Sequence, residues 1–237
     1  MVKIEEHLAK VGTACRSGEK LHDFIGVTIH ETANKNKGAG ALNHAKYLQG
    51  SGANKAASWH YCVDDELTTR SIPEDEVAWH SGKAKGNYNT IAVEICVNSD
   101  GNFQKAVLNA AELTADILKR HRVTKENYKS FLFQHHDWSG KNCPTLLRSG
   151  KPVSWSYFVE RVGAFFGDSS TSQESFKEGD SVYLTGYLYA NSYASKRGKY
   201  FTNRLCKITR IVDLHREAPY LLDSGLGWVK KSDIRKA

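Results

Sequence analysis

Over the first 166 residues, apolar and polar positions alternate in two different rhythms. "FIGVTIH" (24–30), "SWHYCVDD" (58–65) and "TIAVEICVN" (90–98) are compact β-branched and apolar runs, and "SFLFQH" (130–135) is a shorter one. Runs of this length and composition predict strands. Between them, "GNFQKAVLNAAELTADILKRH" sets Val107, Ala110, Ala111, Thr114, Leu118 and His121 at helical spacing, a stripe able to cover a sheet. "GALNHAKYLQG" and "SWSYFVERVGAFF" predict two further helices, the second with Ser154 as its cap. Strands interleaved with helices predict an α/β domain with a central sheet.

The texture changes after residue 166. "GDSSTSQES" (167–175) is small and polar without apolar periodicity, which predicts a linker over 168–175 between a domain at 1–167 and a second one at 176–237. In the last segment, tyrosines and β-branched residues alternate with polar ones and are punctuated by Gly and Asn. That pattern predicts a small all-β barrel of short strands. Charge divides at the same boundary. Residues 1–175 carry 21 Lys+Arg against 20 Asp+Glu, and residues 176–237 carry 12 against 6, so +6 of the chain's net +7 lies in the final quarter. Such an excess suits a polyanionic partner. No eighteen-residue apolar run exists and "MVKIEEHLAKVG" has no apolar core, so neither membrane insertion nor a signal peptide is expected, and synthesis is expected in the cytoplasm. The five cysteines are scattered, unlike a disulfide framework, and Cys62 and Cys96 read as small core residues of their strands.

"QHHDWSGKNCP" (134–144) concentrates two histidines, an aspartate, a lysine and a cysteine beside a turn. Imidazole and thiolate together suit Zn²⁺, but a working site needs another donor from elsewhere. His30, closing the first strand run, supplies one. His30, His135 and Cys143 then make three ligands with a fourth position open, the catalytic pattern of zinc. His136 is the alternative to His135, and side-chain alternation along a strand lets one of the pair bind.

Taken in order, "VTIHET", "SWHYCVDD", "EVAWHSG", "IAVEICVN" and "HHDWSGKNCP" resemble the zinc-dependent N-acetylmuramoyl-L-alanine amidases of phage endolysins and autolysins, relatives of the peptidoglycan-recognition proteins. The likeness runs over residues 1–166. It implies a mixed sheet flanked by helices, zinc on His30, His135 and Cys143, Glu94 as catalytic carboxylate, Lys141 as active-site lysine, and His80 as a cleft residue contacting substrate. A carboxylate inside an apolar run is rarely buried without a task, which agrees with the role for Glu94. His44, His60, Trp59, Trp79 and Trp138 are further candidates for lining the cleft or contacting substrate, with hydrogen-bonding or core roles as the alternative. The segment at 176–237 resembles bacterial SH3-like wall-binding domains. The implied partner is peptidoglycan together with anionic wall polymers, reached by a monomer released to the wall; nucleic acid is not expected, because zinc-finger motifs and a clustered stacking platform are absent. A non-catalytic peptidoglycan-binding protein is the alternative reading.

Overall fold

The computed structural model describes residues 4–166, 176–212 and 216–237 and separates into two compact units, Met1–Gly167 and Asp168–Ala237. The expected linker at 168–175 lies outside the described residues.

The first unit is built on a six-stranded sheet. Its strands are β1 (Ile4–Glu6), β2 (Gly26–Glu31), β3 (Tyr61–Val63), β4 (Thr68–Arg70), β5 (Thr90–Ile95) and β6 (Leu132–Gln134), in the order β1-β4-β3-β5-β2-β6. The four strands β3, β5, β2 and β6 run parallel, and β4 returns antiparallel to β3 in a hairpin, so the sheet is mixed. Strand alternation divides its residues between two faces. Val27 and Ile29 of β2, Ile91, Val93 and Ile95 of β5, and Tyr61 and Val63 of β3 belong to one large core. That core is completed by α3 (Phe103–Arg120) and α6 (Trp155–Phe165) through Val107, Ala110, Ala111, Leu118, Phe158 and Val162. The opposite face carries Thr28, His30, Cys62, Ala92 and Glu94, with Cys96 just beyond the end of β5, and is covered in part by α1 (Ala41–Gln49). The helix-facing side is thus apolar, and the chemistry lies on the other side.

The three predicted helices are present, and Ser154 caps α6 by accepting from the Tyr157 amide at 3.1 Å. His121 departs from the predicted stripe. The helix ends at Arg120, so His121 is an exposed C-cap stacked on Phe24 at 3.7 Å rather than a buried member. Strands β1 and β4, and the short helices α2 (Ala84–Asn89), α4 (His135–Ser139) and α5 (Thr145–Ser149), are too short to leave a periodic pattern.

The second unit is all-β, with β7 (Ser181–Tyr189), β8 (Arg197–Ile211), β9 (Tyr220–Leu222), β10 (Gly227–Val229) and β11 (Ile234–Lys236). Every pairing is antiparallel, and β10 pairs with both β9 and β7, which closes β7-β8-β9-β10 into a small barrel. Val182, Leu184, Leu188, Ile208, Leu222 and Val229 fill it. The fifteen-residue β8 is longer than the short strands expected. Register shifts at Leu184/Gly186 and Tyr187/Tyr189 bend its hairpin with β7, as bulges do.

Candidate metal centre and active site

His30 lies near the C-terminal end of β2 on the polar face, opposite Glu94 in the register with β5. The second group of donors is brought to it by a tight excursion after β6. Gln134 and Asp137 form a capping box that starts α4 at His135, with the Gln134 amide donating to Asp137 Oδ2 at 2.7 Å. Gly140, at φ 74°, ends the helix in the left-handed conformation and turns the chain back. The His136 amide then donates to the Cys143 carbonyl at 3.0 Å, which seats Cys143 beside the start of the helix. From β2, the buried Glu31 carboxylate accepts from the amides of Leu146 and Leu147 at 2.8–3.0 Å. It therefore ties the first turn of α5, and Cys143 just before it, to the residue next to His30. A residue with no assigned role in the sequence reading thus holds two parts of the site together.

His30, His135 and Cys143 are all buried, and their donor atoms lie within 4.8 Å of one another. His30 Nδ1 is 3.0 Å from His135 Nδ1 and 4.0 Å from Cys143 Sγ. His136 points elsewhere, its side chain about two-fifths exposed near Asp137. The reason differs from strand alternation: both residues are on α4, where one position turns the side chain by about 100°.

The tautomer of His30 follows from its surroundings. Thr90 Oγ1 donates to the Gly86 carbonyl at 2.7 Å, so it receives from Thr28 Oγ1 at 2.7 Å and from His80 Nε2 at 3.4 Å. His80 Nδ1 is then an acceptor, and His30 Nε2–H donates to it at 3.0 Å. His30 Nδ1 is left with its lone pair directed at His135 and Cys143. His135 Nδ1 meets it at 3.0 Å. Burial pushes the pKa values of His30, His80 and His135 below the ordinary imidazole value, so neutral rings are favoured. Two imidazole nitrogens 3.0 Å apart, one of them 4.0 Å from a thiol sulfur, gather three potential metal donors around one point. Burial pushes the Cys143 thiol up to about 12, so a thiolate there requires a positive partner. The donor set, two imidazoles and one thiol, fits zinc with a position left for a reactant.

Glu94 Oε1 is 4.0 Å from His30 Nδ1. Burial raises the Glu94 carboxyl to about 8, against the lowering influence of His44 and Lys141, and lowers His30, so this approach joins two groups favoured in their neutral forms rather than an ion pair. Lys141 is exposed, two residues from Cys143, and its charge is felt at His30, His135, Glu94 and Cys143. Glu94 also lines a cleft of about 310 Å³ with Thr32, Asn43, His44, Tyr47 and Trp59. Thr32 Oγ1, Trp59 Nε1 and Glu94 Oε2 are buried without a hydrogen-bond partner, so three residues of one cleft carry unused polar atoms.

The remaining candidates take other places. His80 is buried behind His30, with both ring nitrogens engaged, rather than in the cleft. His60 is fully buried, its Nδ1 accepting from the Ala92 amide at 2.9 Å and its Nε2 donating to the Glu76 carbonyl at 2.9 Å, which leaves no atom for substrate. Trp138 is half-buried on Phe133 and donates through Nε1 to Thr28 Oγ1 at 3.0 Å, at the far end of the chain of hydroxyls behind His80. Trp79 is half-buried against Tyr88. Of the candidates for the cleft, His44 and Trp59 line it with Glu94, whereas His60 and Trp79 do not. Replacing His80 by Ala should weaken metal binding at the trio by roughly 10–100-fold, the usual effect of losing an outer-shell partner. His80→Gln, which keeps an acceptor and a donor, should recover part of it. Unchanged metal affinity in His80→Ala would remove this role.

A parallel-centred mixed sheet thus gathers two imidazoles, a thiol and a carboxyl at the ends of its central strands, a donor set that could hold a metal ion. The chain belongs to the N-acetylmuramoyl-L-alanine amidase family, whose model matches residues 22–146. It is 34% identical to the N-acetylmuramoyl-L-alanine amidase CwlH of Bacillus subtilis (strain 168), over 69% of this chain and 62% of that protein. It is 35% identical to the amidase XlyA of the same organism, over 77% of this chain and 57% of that protein. It therefore spans about 60% of the length of these relatives. The solved catalytic domain of XlyA is 34% identical and matches with a TM-score of 0.60, covering 70% of this chain and all of that one. The PlyG catalytic domain matches at 0.58 with 27% identity, over 73% of this chain and all of that one.

Proposed function

We propose that the chain is a peptidoglycan hydrolase that cleaves the amide between the lactyl group of N-acetylmuramic acid and the L-alanine of the stem peptide. The observation that carries this reading is the convergence of His30 Nδ1, His135 Nδ1 and Cys143 Sγ beside a buried Glu94, in a chain of the amidase family. His30, His135 and Cys143 would hold zinc, which when bound supplies the Lewis acidity that activates water and polarises a carbonyl at neutral pH. Glu94 accepts the proton of the attacking water and delivers it to the departing alanine nitrogen, work that suits a carboxyl raised toward neutrality. The Lys141 ammonium stabilises the oxyanion that develops on the former carbonyl oxygen. The cleft lined by Thr32, His44 and Trp59 receives the substrate and offers its unused polar atoms. Digestion of purified peptidoglycan followed by mass spectrometry tests the reading: intact stem peptides with a new L-alanine amino terminus are expected. New reducing sugars would replace it with a glycosidase, and no product at all would favour the non-catalytic binding protein.

The unit at 176–237 is proposed to hold the enzyme at the wall as an SH3-like module. Its surface stacks cations on aromatic rings, with Arg197 over Tyr187 at 5.1 Å, Arg204 over Phe201 at 4.6 Å and Arg216 over Tyr193 at 4.5 Å. Tyr193 and Tyr200 are among its most exposed rings, at 63% and 49%. Such a surface suits a glycan carrying negative charge. A chain ending at residue 167 should still cleave soluble muropeptides but no longer sediment with walls, and sedimentation of the full chain should weaken in part as salt is raised. Equal sedimentation by both chains at every salt concentration would remove the targeting role. The enzyme is proposed to act as a monomer at the wall after release from the cell that makes it. Among the described residues no helix is long and apolar enough to cross a membrane.

A further inference from the structure

A second group of metal-type donors lies on the same face of the sheet, on the other side of Glu94 from the first. Cys62 of β3 is the register partner of Glu94, and Cys96 follows β5 two residues after Glu94, so both sulfurs emerge beside the carboxylate's strand. Cys62 Sγ and Cys96 Sγ are 3.4 Å apart. His44 of α1 completes the group, and one donor atom from each of the three residues lies within 4.8 Å of the other two. We propose that His44, Cys62 and Cys96 form a second site for a thiophilic d¹⁰ cation, with Zn²⁺ as the probe.

Three observations support this over a pair of core cysteines. The ring of His44 is anchored on one side, its Nδ1–H donating to the Gly40 carbonyl at 3.0 Å, and a ring nitrogen lies within 4.8 Å of both sulfurs. Metal-bound histidines are held in this way by a carbonyl on the nitrogen that does not bind. The sulfur separation also fits. Two Zn–S bonds of about 2.3 Å at a tetrahedral angle place the sulfurs about 3.8 Å apart, within about 0.4 Å of the observed spacing, whereas a disulfide needs about 2.0 Å. Finally, the site has an entrance. Cys62 and Cys96 are closed off from solvent, at 0% and 2% exposure, but His44 lines the cleft that also holds Glu94 Oε2, a buried oxygen with no hydrogen-bond partner. Packing alone accounts for two buried cysteines. It does not account for a third donor, anchored on a backbone carbonyl, that opens the pair to a polar cleft.

The donor set is softer than the first, with two sulfurs and one nitrogen against one sulfur and two nitrogens, so thiophilic ions prefer it more strongly. It shares no ligand with His30, His135 and Cys143. Its test is therefore independent of the hydrolase reading.

The test is a metal titration of the full chain, reduced with a phosphine, stripped with a chelator and returned to Zn²⁺ in competition with a chromophoric chelator. The parent is expected to take two equivalents. Cys143→Ala should take one, and Cys62→Ala should also take one. His44→Gln, a change at a half-buried helix position that leaves both cysteines packed, should weaken the second equivalent by more than the roughly 10–100-fold loss typical of an outer-shell change. In the Cys143→Ala background, Co²⁺ should give thiolate-to-metal absorption that the further change Cys62→Ala abolishes. A single equivalent in the parent overturns the proposal, as does a second equivalent that survives both Cys62→Ala and His44→Gln. Loss of the first site alone, in His30→Ala or Cys143→Ala, bears only on the hydrolase reading.

Discussion

Glu94→Gln is expected to lower turnover roughly 10²- to 10⁴-fold while leaving the metal at His30, His135 and Cys143 in place. The amide keeps the shape of the side chain and removes its ability to accept a proton, so packing on the sheet is conserved and the lost step is proton transfer. On a rate scale this is about 2.7–5.5 kcal/mol of barrier. Lys141→Ala should cost about 10²- to 10³-fold by removing one stabilising charge from the oxyanion. The pH dependence has a definite sign. Burial raises Glu94 to about 8, and the carboxylate is the working form, so turnover falls as pH drops through its pKa. Lys141 and His44 already pull that pKa down, and bound zinc pulls it further, so the acid limb lies below 8 in the metal-loaded enzyme. Glu94→Gln should lose this limb. In the metal-free protein, Glu94's folded value lies above the ordinary 4.5, so its contribution to stability is fully present below about 4.5 and lost as pH rises through about 8. Denaturation at pH 5 and pH 9 should show that slope in the parent and a reduced one in Glu94→Gln. Turnover within a few-fold of the parent would refute the role given to Glu94.

The parts of the molecule legible in the sequence are those whose periodicity extends over several residues. β2 and β5 announce themselves because both of their faces are buried, and α3 because Val107, Ala110, Ala111, Thr114 and Leu118 repeat along one side. The boundary between the two units is legible as a change in composition and charge rather than in hydropathy. His30, His135 and Cys143 are legible because the types of donor restrict the metal, and the metal restricts their number. His135 opens a capped helix rather than closing a strand, so the fold places it at the site by a partly different route from the one its strand-like run suggests. What stays hidden depends on partners distant in sequence. Glu31 reads as an ordinary acid after a strand until α5 arrives with two free amides 115 and 116 residues later. His80 reads as a cleft histidine because the ring behind which it stands lies fifty residues away. Cys62 and Cys96 each read as a small apolar residue, and only the pairing of β3 with β5 brings the sulfurs together.

Removal of any one of the three proposed zinc ligands is expected to have the largest effect of any single change. In His30→Ala, His135→Ala or Cys143→Ala, the equivalent held by this trio should be lost and hydrolysis should fall to background, because two remaining donors do not make a closed enough site and the Lewis acid leaves with the metal. His136→Ala is the internal control. Its side chain lies toward solvent beside Asp137, so metal and activity should both stay at parent levels. Stability adds a readout that does not depend on substrate. At free metal 100-fold above the dissociation constant, binding stabilises the folded chain by about 2.7 kcal/mol, so chelation should lower the melting temperature of the parent and of His136→Ala. The same chelation should shift Cys143→Ala less, because only metal bound elsewhere remains to be removed. Equal metal loss from His135→Ala and His136→Ala would contradict the capped turn of α4 that separates the two rings. Full retention of this equivalent in His30→Ala would do more: it would detach the metal from β2 and overturn the ligand assignment.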